Sequence, residues 1–95
     1  MLKNMFKAFV LSTKIYKSIE GMGLEELENI DFQGCNIYVR CSYLTIDNCQ
    51  GDLYKIPYGK INGHLIDRDE IYKSNRDFPD WVVSKLEDLH AFLKA

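Results

Sequence analysis

Short, turn-rich connections between apolar runs constrain this chain most, because a turn of a few residues can only join strands that run antiparallel. Asn48, Gln50, Gly51 and Asp52 form one such cluster, and Asn62-Gly63 is a type I′ hairpin signal joining Ile61 to Leu65 and Ile66. The residues around them are β-formers. Cys35 to Asp47 is rich in β-branched and aromatic residues and reads as a strand, with Cys35, Ile37, Val39, Cys41 and Tyr43 on its core face. Asn36, Tyr38, Arg40 and Ser42 face the other way. Beyond Tyr43 the apolar residues change parity to Leu44 and Ile46, the sign of a bulge or of a strand end buried on both sides. Leu53 to Ile56 is a further strand, which Pro57 confines to an edge or an end. A three- or four-stranded antiparallel meander follows, interrupted by Asp67 to Glu70 before Ile71 and Tyr72.

A helical repeat lies at each end. From Leu2 to Ile19, the residues Leu2, Met5, Phe6, Phe9, Thr13 and Tyr16 recur every three or four positions and fall on one stripe. Leu11 and Ile15 fall on the far flank, so this helix is expected to touch two things, one of them a second copy of the chain. Glu20 and Gly21 mark its end. Leu24 to Ile30 has the spacing of a short second helix carrying Glu25, Glu26 and Glu28 outward, and Asp31 to Gly34 is turn-like. The last helix opens at Asp77, with Pro79 in its first turn and Asp80 complementing the dipole, and presents Val82, Leu86, Leu89 and Leu93 as its core stripe. The expectation is one α+β domain over residues 1–95, two-layered, with the N- and C-terminal helices on one face of the sheet.

Composition sets bounds on this picture. Ninety-five residues bury somewhat over ~60% of their unfolded surface, enough for one modest core without staples. At 46% hydrophobic and 27% charged, the chain is expected to be globular rather than disordered. Its apolar runs are far shorter than the ~20 residues a membrane crossing needs, and no secretory signal pattern opens it. The N-terminal stretch shares the Lys-bearing, acid-free amphipathic character of a mitochondrial transit peptide but has no Arg. Cys35, Cys41 and Cys49 make an odd count without a Cys-x-x-Cys pair, which argues against a disulfide framework or zinc site and for a reducing, cytoplasmic setting.

Charge is unevenly divided. The first nineteen residues hold Lys3, Lys7, Lys14 and Lys17 and no acid, so they carry +4 while the remainder carries −6. The four lysines gather in a stripe of their own on the helix. Such a stripe can neutralise phosphates, and nucleic-acid binding is the alternative function it supports. Its simpler reading is a solvated face.

A second candidate surface is on the C-terminal helix, where Trp81, Lys85, Asp88 and Phe92 share a face removed from Val82 and Leu89. Two large rings outside the core are the mark of a partner-binding surface, unless the sheet curls round or the N-terminal helix covers them. Catalytic groups are poorly represented. His90 sits at the edge of a core stripe beside Val83, and His64 follows a turn near Asp67 and Asp69, where acids are mostly solvated. Cys35 and Cys41 read as small buried hydrophobes, and Cys49 as an exposed loop thiol. Asp47 to Asp52 lacks the alternating carboxylates of a calcium loop, and Asp77 and Asp80 already occupy the anion position that Lys73 and Arg76 would serve. No catalytic residue, metal or cofactor is expected. The function expected is that of a small non-enzymatic interaction module with a protein partner: an inhibitor, immunity or adaptor protein, including antagonists of host defence of the phage type.

Overall fold

The computed structural model describes residues 3–22, 28–40, 43–58, 60–61, 64–65 and 77–95. In chain order these form helix α1 (Met5–Gly21), strands β1 (Asn29–Phe32), β2 (Cys35–Val39), β3 (Tyr43–Asp47) and β4 (Leu53–Pro57), a hairpin of β5 (Lys60–Ile61) and β6 (His64–Leu65), and helix α2 (Asp80–Lys94). β1 to β4 make one antiparallel sheet in sequence order, with both helices on one face; β5 and β6 pair separately. The fold is α+β and two-layered, as the sequence leads one to expect.

The strands are divided differently from the sequence reading. Cys35 to Asp47 is two strands rather than one, turned back so that Val39 stands opposite Leu44 and Asn36 opposite Asp47. That reversal explains the change of parity. Tyr43 consequently lies on the outer face, opposite Pro57, and not with the core residues. Ile30, expected in a short helix, is instead in β1 opposite Ile37; residues 24–27 of that expected helix lie outside the described residues. Here cross-strand burial of Ile30 and Phe32 outweighs a three-residue helical spacing. β1 and β2 are joined by Gln33 and Gly34 alone, both with positive φ (50° and 84°), as a two-residue type I′ connection requires. β4 is an edge strand ending at Pro57, consistent with the missing N–H of that residue. Ile61 stands opposite His64; the Asn62-Gly63 turn between them, like Asp67 to Glu70, Ile71 and Tyr72, lies outside the described residues.

The inner face of the sheet carries Phe32, Cys35, Ile37, Val39, Leu44, Ile46 and Ile56, all buried. Against it α2 lays Val82, Val83, Leu86 and Leu89, with Leu93 partly buried beside them, so the stripe expected of this helix is the one it buries. α2 crosses the sheet from edge to edge: Trp81 meets Tyr54 of β4, and Phe92 meets Phe32 of β1.

α1 is rotated from the orientation its large residues suggest. Its buried residues are Ala8, Ser12, Ile15 and Ile19, whereas Phe6 is 71% exposed. The helix turns its small residues inward because it packs closely against both α2 and β4. Ser12 Oγ donates to Pro57 O at 2.9 Å, and Tyr16 lies against the buried Tyr58 with ring centroids 4.6 Å apart. Ile15 is therefore core, and Leu11 packs against the core as well, which removes the free flank on which a second copy was expected to sit. The helix includes Gly21 and closes on Met22, whose φ of −89° is not the left-handed value of a glycine cap.

Candidate functional site

The C-terminal helix begins at Asp80, with Pro79 preceding its first turn and no side chain capping it. Asp77 does not open this helix. Its Oδ1 accepts the backbone N–H of Asn4 at 2.7 Å and that of Phe78 at 3.0 Å, so it serves the start of α1 instead. Asn4 Nδ2 in turn donates to Phe78 O at 2.7 Å and Asp80 Oδ1 at 2.8 Å. The two helices thus start together and run side by side in one direction; farther along, Lys14 is close enough to His90 for its charge to be felt there.

On this frame the four residues Trp81, Lys85, Asp88 and Phe92 fall along one flank of α2, above the sheet end that carries the β1–β2 and β3–β4 turns. They are not equivalent. Trp81 is half-buried, its ring edge-on to Tyr54 at 5.8 Å. Lys85 Nζ donates to Gln33 O at 3.2 Å and to Gln33 Oε1 at 3.4 Å, tying the helix to the β1–β2 turn. Asp88 is exposed. Phe92 is 65% exposed although its ring meets Phe32, tilted by 54° with centroids 5.6 Å apart, so part of the ring is held by the core and the rest is open.

Lys3, Lys7, Lys14 and Lys17 are all exposed, on the side of α1 away from its buried Ala8, Ser12, Ile15 and Ile19. Phe6 stands with them. This arrangement keeps the lysine stripe apart from the α2 flank.

The β3–β4 loop is fastened by its own side chains. Asp47 Oδ1 accepts the N–H of Cys49 at 3.0 Å, and Asn48 Oδ1 accepts those of Gln50 at 2.9 Å and Asp52 at 3.3 Å. Asn48 Nδ2 returns a bond to Asp52 Oδ2 at 3.0 Å. Cys49 adopts a φ of 63° and is exposed, as expected of a loop thiol, with Asn36 Nδ2 donating to its sulfur at 3.2 Å. Although Cys49 is exposed, its pKa is raised, by desolvation first and then by the hydrogen bond to Asp47 and the charge of that carboxylate. Cys35 is buried in the core and Cys41 is outside the described residues. His90 is half-buried at the edge of α2, and its pKa is lowered by desolvation first and then by Lys94 and Lys14. The side chain of His64, Asp67 and Asp69 beside it, and Lys73 and Arg76 are outside the described side chains. Among the described residues no three His, Cys, Asp or Glu side chains converge as metal ligands, and no helix is long and apolar enough to cross a membrane.

The outer face of the sheet was not singled out by sequence reasoning. It carries Asn29, Asp31, Asn36, Tyr38, Thr45, Asp47, Leu53 and Lys55, with Arg40 and Tyr43 at one end. Arg40 Cζ lies 5.1 Å from the Tyr38 ring centroid, and Lys55 Nζ lies 4.2 Å from that of Tyr43. The alternation of Asn36, Tyr38 and Arg40 was the available signal, but a strand's polar face reads the same whether it meets water or a partner.

No family model, curated protein or solved structure matches this chain.

Proposed function

We propose that this chain is a non-enzymatic interaction module that captures a protein partner on the flank of α2, acting as an inhibitor, immunity or adaptor protein. Phe92 carries the reading. A ring open to water over most of its surface and held in part by Phe32 gives a partner an apolar anchor whose position is already fixed, which lowers the ordering cost of binding. Lys85, braced on Gln33, and the exposed Asp88 supply flanking charges of both signs. Anchors of this kind, ringed by polar groups, account for most of the energy of protein interfaces. The free thiols of Cys35 and Cys49 suit a reducing compartment such as the cytoplasm.

The test is capture from extracts of the cell that makes the protein, with the intact chain and Phe92→Ala as matched baits. Phe92→Ala removes a mostly exposed ring and should leave the thermal melt within a few degrees of the parent while abolishing the captured band. Equal capture by both baits rules the surface out. Trp81→Ala is the wrong probe, since that ring also packs on Tyr54 and its loss destabilises the fold.

The exposure of all four N-terminal lysines beside the 71% exposed Phe6 supports nucleic-acid binding as a second reading. In that case retention on nucleic acid falls steeply with salt, and charge reversal at Lys7 and Lys14 removes it. Failure to be retained at low salt eliminates it.

A further inference from the structure

The outer face of the four-stranded sheet is divided by charge along its strands. The end next to the β1–β2 and β3–β4 turns carries Asp31 and Asp47, opposite each other across Asn36. The far end carries Arg40 with Tyr43, and Lys55 reaches toward it over the Tyr43 ring. Between them lie Tyr38 and Thr45, directly opposed on neighbouring strands. All of these side chains are half-buried or exposed.

We propose that this face pairs with the same face of a second copy of the chain. A two-fold axis lying in the interface and running across the strands brings the Arg40 end of each copy over the Asp31 and Asp47 end of the other. One contact then becomes two by symmetry, as an isologous interface requires. The central Tyr38 rings meet near the axis, where Tyr is a favoured contact residue, and the two sheets stack at the ~10 Å spacing of a sandwich. The same charge division argues against a polyanion as the occupant, because Asp31 and Asp47 would meet its phosphates. A face four strands wide measures about 20 by 15 Å. That is well below the ~800 Å² each partner contributes to a long-lived complex, so the dimer exchanges readily and grows in with concentration.

The test is the mass of the full chain in solution across a concentration series, by sedimentation, for the parent, Arg40→Asp, Asp31→Arg and the two combined. The parent should pass from monomer to dimer as concentration rises, and each single swap should weaken the dimer by about tenfold or more through like-charge contact. The combined swap restores it. More decisively, mixing the two single variants should yield a heterodimer that neither forms alone, since the acidic face of one then meets the basic face of the other. Arg40→Gln, which leaves the strand polar without reversing charge, should fall between parent and Arg40→Asp. Phe92→Ala should leave self-association untouched, so this inference and the proposed partner surface fail separately. A parent that stays monomeric throughout, a dimer that survives Arg40→Asp, or a mixture that does not associate overturns the proposal. So does an oligonucleotide captured through Arg40 by a monomeric parent, which would make this face a nucleic-acid platform instead.

Discussion

Asn4 and Asp77 are 73 positions apart, yet the backbone N–H of Asn4 donates to Asp77 Oδ1 at 2.7 Å, so the residue leading into the last helix caps the first. The amide of Asn4 closes the arrangement from the other side through Phe78 O and Asp80 Oδ1. One buried side chain therefore locks the two helix starts together. Asn4→Ala leaves the Phe78 carbonyl without this donor and should cost about 1–3 kcal/mol. Urea unfolding followed by far-UV circular dichroism measures it. Asn4→Asp should be worse at neutral pH, because it brings a third carboxylate against Asp77 and Asp80, and should recover in part as the pH falls through the carboxylate range.

Ser12 is the point of closest approach between α1 and β4. Its one hydroxyl hydrogen is shared between Pro57 O and Phe9 O, each 2.9 Å from Oγ, while the side chain is fully buried. Ser12→Ala should cost about 1 kcal/mol, the usual worth of one such bond. Ser12→Leu should cost more, about 1–3 kcal/mol or beyond, because the added carbons must push the helix off the sheet. A lowered denaturation midpoint in that order, Ala before Leu, is the expected result.

Ser12 also shows where sequence reasoning reached its limit. The α2 stripe of Val82, Leu86 and Leu89 was legible because its buried residues are also its large apolar ones. In α1 the two properties separate. Phe6, Phe9 and Tyr16 define the most regular apolar repeat, but Ala8 and Ser12 face inward, since proximity to α2 and Pro57 rewards small volume over hydrophobicity. The sheet was legible as antiparallel from its turns, whereas the reversal between Val39 and Tyr43 carries no Gly, Pro or Asn to announce it. Of the candidate sites, the α2 flank and the lysine stripe could be read from helical spacing alone. The outer face could not, because Asp31 and Asp47 at one end, and Arg40, Tyr43 and Lys55 at the other, are assembled only through the pairing of β1 to β4.

Cys49 should react slowly despite its exposure. A thiol whose pKa is raised holds less thiolate at neutral pH than an ordinary cysteine, and thiolate is the reacting form. Labelling at pH 7 with a maleimide or disulfide reagent, resolved by peptide mapping, should give a slower rate at Cys49 than for a free cysteine peptide. Asp47→Asn keeps a side-chain oxygen for the turn and removes the negative charge, so the Cys49 rate should rise. Cys35, buried under α2, should label only when the chain unfolds.

His90 should make the fold less stable on mild acidification. Its pKa is lowered in the folded chain, first by desolvation and then by Lys94 and Lys14, while the unfolded chain titrates near 6.5. As pH falls through that value the unfolded state takes up a proton that the folded state still resists, so the equilibrium shifts toward unfolding. The loss begins near the ordinary histidine range and levels off below the folded pKa, where both states are protonated. Denaturant midpoints compared between pH 8 and pH 5.5 should decline for the parent and decline less for His90→Gln, which cannot charge. Lys14→Gln removes one of the two repelling cations, so the imidazole proton titration followed by NMR should move upward in that variant. A His90 titration unchanged by Lys14→Gln would mean that α1 and α2 do not approach each other there, contrary to the side-by-side arrangement that Asn4 anchors.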